Sequence, residues 1–164
     1  PSGAGATMSL DAMEQYGFEL AKLSERTINA IKEFFPTWTP PLNPIDMMAA
    51  GMKHGYKMVY RASLETLLED ESVDSTMCIA GFPTLKTIGT AIRGGNKPVV
   101  TWVLGEWGEN LLSKVKETGY QAVYSSPERA FRALAALRNY SAKGLSSMAW
   151  LPPTMILLCL LQLL

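Results

Sequence analysis

Cysteine and histidine are scarce in this sequence. Two cysteines and one histidine occur among the 164 residues, and the sequence has no CxxC motif and no Cys/His cluster. Two cysteines do not make a disulfide scaffold, and without clustered ligands a zinc site is excluded. The acidic run 69–71 has no other metal-ligating residues near it, so we interpret it as a solvated helix end. We therefore expect a metal-free chain in a reducing cytoplasm.

Charge is also sparse, and neither sign is in excess. Fifteen basic residues balance fifteen acidic ones, and charged residues make up 18% of the chain. A chain without a basic excess lacks the electrostatic footprint of a nucleic-acid-binding protein. The hydrophobic content of 48% argues against disorder and suffices for one substantial core at this length. We expect one folded domain that does not bind nucleic acid.

No hydrophobic run is long enough to cross a bilayer. The most hydrophobic stretch, residues 154–164, has 11 residues, whereas a transmembrane helix needs about 20. It also lies at the wrong end of the chain for a secretory signal. We expect no membrane partner, and we expect residues 141–164 to form an atypical, poorly packed hydrophobic extension.

Helix-like and strand-like patterns alternate along the rest of the chain. Short runs typical of strands occur at residues 73–79, 98–104 and 120–124. Amphipathic segments with helix-capping residues lie around them: Ser24 is a predicted N-cap, and Ser126 followed by Pro127 is typical of a helix start. This alternation implies right-handed βαβ units. The sequence therefore predicts a three-layer, flavodoxin-like α/β fold with helices on both faces of a parallel sheet.

The chain opens on small residues that lead into a helix. Ser2, Gly3, Gly5 and Thr7 bring glycines and hydroxyls to a helix N-terminus, where free N–H groups and the helix dipole attract an anion. The segment lacks the lysine of a Walker A loop and does not fit GxGxxG, so it is not a nucleotide signature. It can be an anion site or simply a tight βα turn. In either case a strand is expected before it, just ahead of Pro1.

A second candidate is the segment Asn43-Pro44-Ile45-Asp46. An Asn before proline is kept out of the α region, and Asp46 can cap the helix that follows. Two interpretations stay open: a turn with a cap, or an Asn/Asp pair at the rim beside the glycine segment that positions a phosphate or a neighbouring domain. His54 has no catalytic pattern around it, so we interpret it as a surface histidine.

The ordered set of motifs resembles the NDP-forming acyl-CoA synthetases, the group related to succinyl-CoA synthetase. Residues 2–11 are similar to the family's SGGxG…D loop and helix, and Asn43-Pro44-Ile45-Asp46 is similar to its NPxD motif. Further matching segments follow in the family's order at 17–20, 23–27, 36–38, 97–100 and 126–137. The resemblance identifies residues 1–140 as the second succinyl-CoA-ligase-like flavodoxin domain, with its first strand missing, and leaves 141–164 unmatched.

The resemblance implies an enzyme that interconverts acyl-CoA, ADP and phosphate with acid, CoA and ATP through an acyl phosphate and a phosphohistidine. It implies CoA, ATP or ADP, and Mg for the full enzyme. It also implies three partner units, in the same chain or another subunit: a CoA-binding domain, a first ligase domain and an ATP-grasp domain. This segment alone is expected to be inactive.

The resemblance also assigns the site. By analogy, Ser2, Gly3, Gly5 and Thr7 cradle the phosphate of the phosphohistidine, and Asn43 with Asp46 are second candidates for positioning it. The family's histidine lies in a context unlike that of His54, so no catalytic residue is expected in this segment. The alternative is a noncatalytic flavodoxin-like regulatory module, such as the pseudo-synthetase part of a protein acyltransferase.

Overall fold

A parallel sheet covered by helices organises the chain. The computed structural model describes residues 2–92, 95–105, 113–115, 117–120, 122–144 and 154–160. The helices are α1 (Ser2–Gln15), α2 (Glu25–Ile31), α3 (Met48–His54), α4 (Tyr56–Leu68), α5 (Leu85–Ala91) and α6 (Pro127–Gly144), with 3₁₀ turns at Lys32–Phe34 and Phe82–Thr84. The strands are β1 (Phe18–Leu20), β2 (Ile45–Asp46), β3 (Ser75–Ala80), β4 (Val99–Val103), β5 (Val123–Tyr124) and β6 (Thr154–Leu160).

The sheet has the order β1-β6-β3-β4-β5, and β2 also pairs with β6. Every pairing is parallel. Phe18 of β1 is opposite Thr154, at the start of β6, whereas Ile45 of β2 is opposite Cys159, near its end. The two short strands therefore form one edge strand that is interrupted by the excursion 21–44.

Alternate residues of each central strand face two different cores. In β3, Cys78 belongs to the core that contains residues of α2, α3, α4 and α5, whereas Met77 belongs to the core built with α1 and α6. In β4, Val99 belongs to the first of these cores and Trp102 to the second. A strand covered on both faces reads as a continuous apolar run, which explains the sequence of β4. The predicted three-layer, parallel α/β fold is confirmed.

The C-terminal hydrophobic segment corrects one expectation. Residues 154–160 are not an extension outside the fold, because they form β6, which lies inside the sheet and pairs with β1 on one side and β3 on the other. An apolar run of this length satisfies its backbone hydrogen bonds best in a sheet interior, where it pairs with a strand on each side. The strand expected ahead of Pro1 would precede the sequence and stays a prediction; β6 occupies the position in the sheet between β1 and β3. The boundary at residue 140 stays a prediction.

The predicted caps are present at two helices. Thr27 N–H donates to the Ser24 hydroxyl oxygen at 3.2 Å, so Ser24 is the N-cap of α2. At the start of α6, Arg129 N–H donates to the Ser126 hydroxyl oxygen at 3.4 Å. Among the helices that the structure describes, none has the length and apolarity needed to cross a membrane.

Candidate functional site

The N-terminus of α1 lies at the carboxyl edge of the parallel sheet. A Cβ atom added to Gly5 would lie 3.7 Å from side-chain atoms of Ile79 and Trp102. Ile79 is the next-to-last residue of β3, and Trp102 is the next-to-last residue of β4. In open α/β sheets, ligands bind at the carboxyl ends of the strands. The first turn of α1 is therefore at the edge where such a fold forms its sites.

The predicted opening loop is helical, which corrects the sequence interpretation. α1 begins at Ser2 and includes Gly3, Gly5 and Thr7. The alanines between the glycines favour a helix, and the contact of Gly5 with the sheet stabilises it. The groups that this end offers to the predicted anion are then the first free N–H groups of a 14-residue helix rather than those of a loop.

The two glycines have different surroundings. Gly3 is exposed, and a Cβ atom there would meet nothing within 4 Å. Gly5 is buried against the sheet, where a Cβ would be in ordinary contact. Gly3 therefore leaves open space at the helix end, whereas Gly5 lies against the sheet at a distance that a Cβ would also tolerate. The Thr7 hydroxyl donates to the Gly3 carbonyl oxygen at 3.1 Å and so braces the first turn.

Asn43 and Asp46 hold the edge strand and the helix after it. The Asn43 amide donates from Nδ2 to the Ala21 carbonyl oxygen at 3.0 Å, which joins the two ends of the excursion 21–44. The peptide bond between Asn43 and Pro44 is cis. Asp46 Oδ1 accepts a hydrogen bond from Met48 N–H at 2.8 Å, at the start of α3.

For Asp46, this contact is the turn that the sequence allowed, although the N-cap of α3 is Met47 and Asp46 lies one residue before it. Asp46 pairs with Leu160, the last residue of β6, so it lies at the same sheet edge as the start of α1. A role for Asn43 and Asp46 in positioning a phosphate or a partner domain stays a prediction.

His54 is half-buried rather than a surface residue, which corrects its interpretation. It ends α3, and its ring meets the Phe34 ring edge-on with centroids 6.1 Å apart. Packing against an aromatic ring explains the burial. Its Nε2 atom is buried and has no hydrogen-bond partner in the described structure.

Asp70 is a buried carboxylate that the sequence did not single out. Its side chain is 5% exposed, so the expected solvated helix end is wrong for this residue. One carboxylate oxygen accepts from Ser24 N–H and the Ser24 hydroxyl, both at 2.9 Å. The other accepts from Ser72 N–H at 3.0 Å and from the Ser72 hydroxyl at 2.8 Å. This network ties the excursion 21–44 to the segment before β3.

The same hydrogen bonds set the charge state of Asp70. Burial by itself raises the pKa of the carboxyl, but hydrogen bonds from Thr27, Ser24 and Ser72 outweigh burial and hold the pKa well below its usual range. Lys97 Nζ donates to the main-chain oxygen of Asp70 at 2.5 Å and adds a further connection. These contacts indicate a structural carboxylate, and within the described parts of the chain no group of His, Cys, Asp and Glu could hold a metal ion.

Comparison with known proteins gives relatives whose names describe CoA ligases and CoA synthases. No family model matches the chain. The ADP-forming acetate–CoA ligase I of Archaeoglobus fulgidus is 30% identical over 144 residues, which cover 85% of this chain and 20% of the relative. The alpha subunit of ADP-forming acetate–CoA ligase II of Pyrococcus furiosus is 27% identical over 147 residues, or 83% of this chain and 31% of the subunit.

A solved structure is similar as well. The dinucleotide-forming acetyl-coenzyme A synthetase 1 of Ca. Korarchaeum cryptofilum, in complex with phosphate and ADP, matches with a TM-score of 0.64 and 27% identity. The match covers 89% of this chain and 34% of that chain. This chain therefore spans between a fifth and about a third of the length of these relatives.

The parallel sheet, with α1 starting at its carboxyl edge, defines a flavodoxin-like α/β domain. The chain is a homologue of one segment of the NDP-forming acyl-CoA synthetases, because its relatives include ADP-forming acetate–CoA ligases and a similar solved structure is an acetyl-coenzyme A synthetase. The resemblance carried by its motifs is confirmed, and the chain is related to a family of ligases.

Proposed function

We propose that this chain is the part of an NDP-forming acyl-CoA synthetase that holds a phosphoryl group at the N-terminus of α1. In the whole enzyme, acyl-CoA, ADP and phosphate are interconverted with acid, CoA and ATP through an acyl phosphate and a phosphohistidine. The observation that carries the proposal is the position of α1, whose N-terminal end, exposed at Gly3, lies at the carboxyl edge of the sheet.

The chemistry of a helix N-terminus suits a phosphoryl group. The first four N–H groups of a helix have no acceptor within the helix, and the dipole places about half a positive charge there. Gly3 leaves room for close approach, since no atom lies within 4 Å of the position of a Cβ. We assign Ser2 the role of a hydroxyl donor to the phosphoryl group, while Gly5 and Thr7 stabilise the first turn of α1.

The remaining chemistry belongs to units outside this segment. CoA, ATP or ADP, and Mg would bind to the CoA-binding, first ligase and ATP-grasp domains, and the phosphorylated histidine would reach α1 from the first ligase domain. This division is consistent with the fraction of its relatives that the chain spans. The segment alone would then bind a phosphate without catalysing the reaction.

A titration of the chain with inorganic phosphate tests the proposal. Backbone amide NMR should show saturable shifts at Gly3 and its helix neighbours, while amides at the opposite edge of the sheet stay unchanged. The Gly3→Asp variant should lose these shifts, because a carboxylate repels phosphate at the same place where it stabilises a helix start. Equal shifts with chloride at matched ionic strength, or shifts retained in Gly3→Asp, would overturn the proposal.

A further inference from the structure

The two cysteines of the chain lie opposite each other on neighbouring strands. Cys78 of β3 is the register partner of Cys159 of β6 in a parallel ladder. The sequence contains no other cysteine. In the sequence 80 positions lie between them, so no local pattern pairs them. The fold brings their backbones together.

The backbone spacing is close to that of a disulfide. Neighbouring strands of a sheet lie about 4.8 Å apart, within the Cα separation of about 4.4–6.8 Å that disulfides join. The Cβ atoms of a disulfide are usually about 3.5–4.5 Å apart, so the bond requires β6 and β3 to approach each other slightly at this pair. Residues directly opposite each other in a parallel ladder belong to the same face of the sheet. Cys78 is a fully buried thiol, and because the sequence contains only these two cysteines, no other cysteine of the chain competes for it.

We propose that Cys78 and Cys159 form an intramolecular disulfide under oxidising conditions, which fixes β6 in the sheet beside β3. The oxidant is a low-molecular-weight disulfide such as oxidised glutathione. One cysteine thiolate attacks a sulfur of that disulfide and releases one thiol; the second cysteine then attacks the mixed disulfide and releases the other. The two cysteines lose two electrons and two protons, and the added disulfide is reduced to two thiols.

Burial decides when the bond forms. Because Cys78 is fully buried in the folded chain, an oxidant reaches it during folding or when β6 has left the sheet. The bond closes a loop that contains β4, β5 and α6, which restricts the unfolded chain strongly. The oxidised chain should therefore melt about 5 °C or more above the reduced one. This proposal does not rest on the phosphoryl-binding role of α1.

Refolding the full chain from denaturant in a glutathione redox buffer tests the proposal, since both thiols are accessible before the core forms. The expected product is a monomer with no free thiols, a mass lower by that of two hydrogen atoms, and a tryptic fragment that joins the Cys78 peptide to the Cys159 peptide. Its melting temperature should fall back to the reduced value when dithiothreitol is added.

The variants Cys159→Ala and Cys78→Ala are the controls, and either one should abolish both the cross-link and the thermal shift. Cys159→Ala serves if the buried Cys78 position does not tolerate replacement. Free cysteines at equilibrium, glutathione adducts without a cross-link, or dimers linked only between molecules would each overturn the proposal.

Discussion

Arg138, on α6, donates a hydrogen bond from Nη1 to the carbonyl oxygen of Gly17 at 2.9 Å, across 121 positions of sequence. Its Nη2 donates to the Tyr16 carbonyl oxygen at 3.1 Å, and its guanidinium lies 4.7 Å from the centroid of the Phe18 ring. The carbonyls at the end of a helix lack partners within the helix and form the negative end of its dipole. Arg138 therefore joins α6 to the C-terminal end of α1.

Replacing Arg138 by alanine should lower the free energy of unfolding by about 1–3 kcal/mol, because two charge-assisted hydrogen bonds and a cation–π contact are lost. Urea denaturation measures the change. Arg132→Ala is the matched control, since Arg132 is exposed on the same helix, and it should change stability by less than about 0.5 kcal/mol. Equal stability of the two variants would contradict the importance of this contact.

Replacing Asp70 by asparagine should lower the free energy of unfolding at pH 7 by about 2–4 kcal/mol. The carboxylate accepts only, whereas the amide NH₂ would face N–H and O–H donors of Ser24 or Ser72. Glu69→Gln, at the exposed neighbouring position, should have little effect.

The effect of Asp70→Asn should also depend on pH. The pKa of Asp70 is lowered in the folded chain, so its ionised carboxylate stabilises the folded state fully above the pKa of the unfolded chain, which is about 4. This stabilisation is lost as the pH falls below that value toward the folded pKa. The difference between wild type and Asp70→Asn should therefore shrink between pH 5 and pH 2, measured by urea denaturation. A difference that does not change over this range would be evidence against the ionised, hydrogen-bonded carboxylate.

Tyr120 offers a test of the core beside β4. Its hydroxyl donates to the Val99 carbonyl oxygen at 2.8 Å and accepts from the Thr101 hydroxyl at 3.2 Å. Tyr120→Phe should lower the free energy of unfolding by about 1–2 kcal/mol, because both partners lose a buried hydrogen bond. Burial raises the pKa of Tyr120 well above its usual range, so wild type and Tyr120→Phe should show the same tyrosinate absorbance until the chain unfolds at high pH.

Local patterns predicted the parallel sheet because strand and helix periodicities are local properties. The strands predicted at 73–79 and 98–104 are found at Ser75–Ala80 and Val99–Val103. The interrupted edge strand has segments of only three and two residues, too short for a period-2 pattern. The place of β6 between β1 and β3 depends on pairings with distant parts of the chain, which no local pattern contains.

The candidate site was predicted only in part, for the same physical reason. The glycines and hydroxyls at the start of the chain indicated a helix N-terminus, but their helical conformation also depends on the contact of Gly5 with Ile79 and Trp102. Asp70 lies in an acidic run, and its burial depends on Ser24, 46 positions earlier. The capping pattern predicted the helix start but did not indicate that the same serine also donates hydrogen bonds to a carboxylate.

Phosphohistidine formation in a complete synthetase that contains this segment tests the role of α1 most directly. The comparison is between Gly3→Asp and Gly3→Asn, which place side chains of equal size in the same open space and differ in charge. If α1 holds the phosphoryl group, Gly3→Asp lowers phosphohistidine formation about tenfold or more relative to Gly3→Asn, with thermal stability that is no lower. Equal phosphohistidine formation in the two variants would contradict the proposed role of α1.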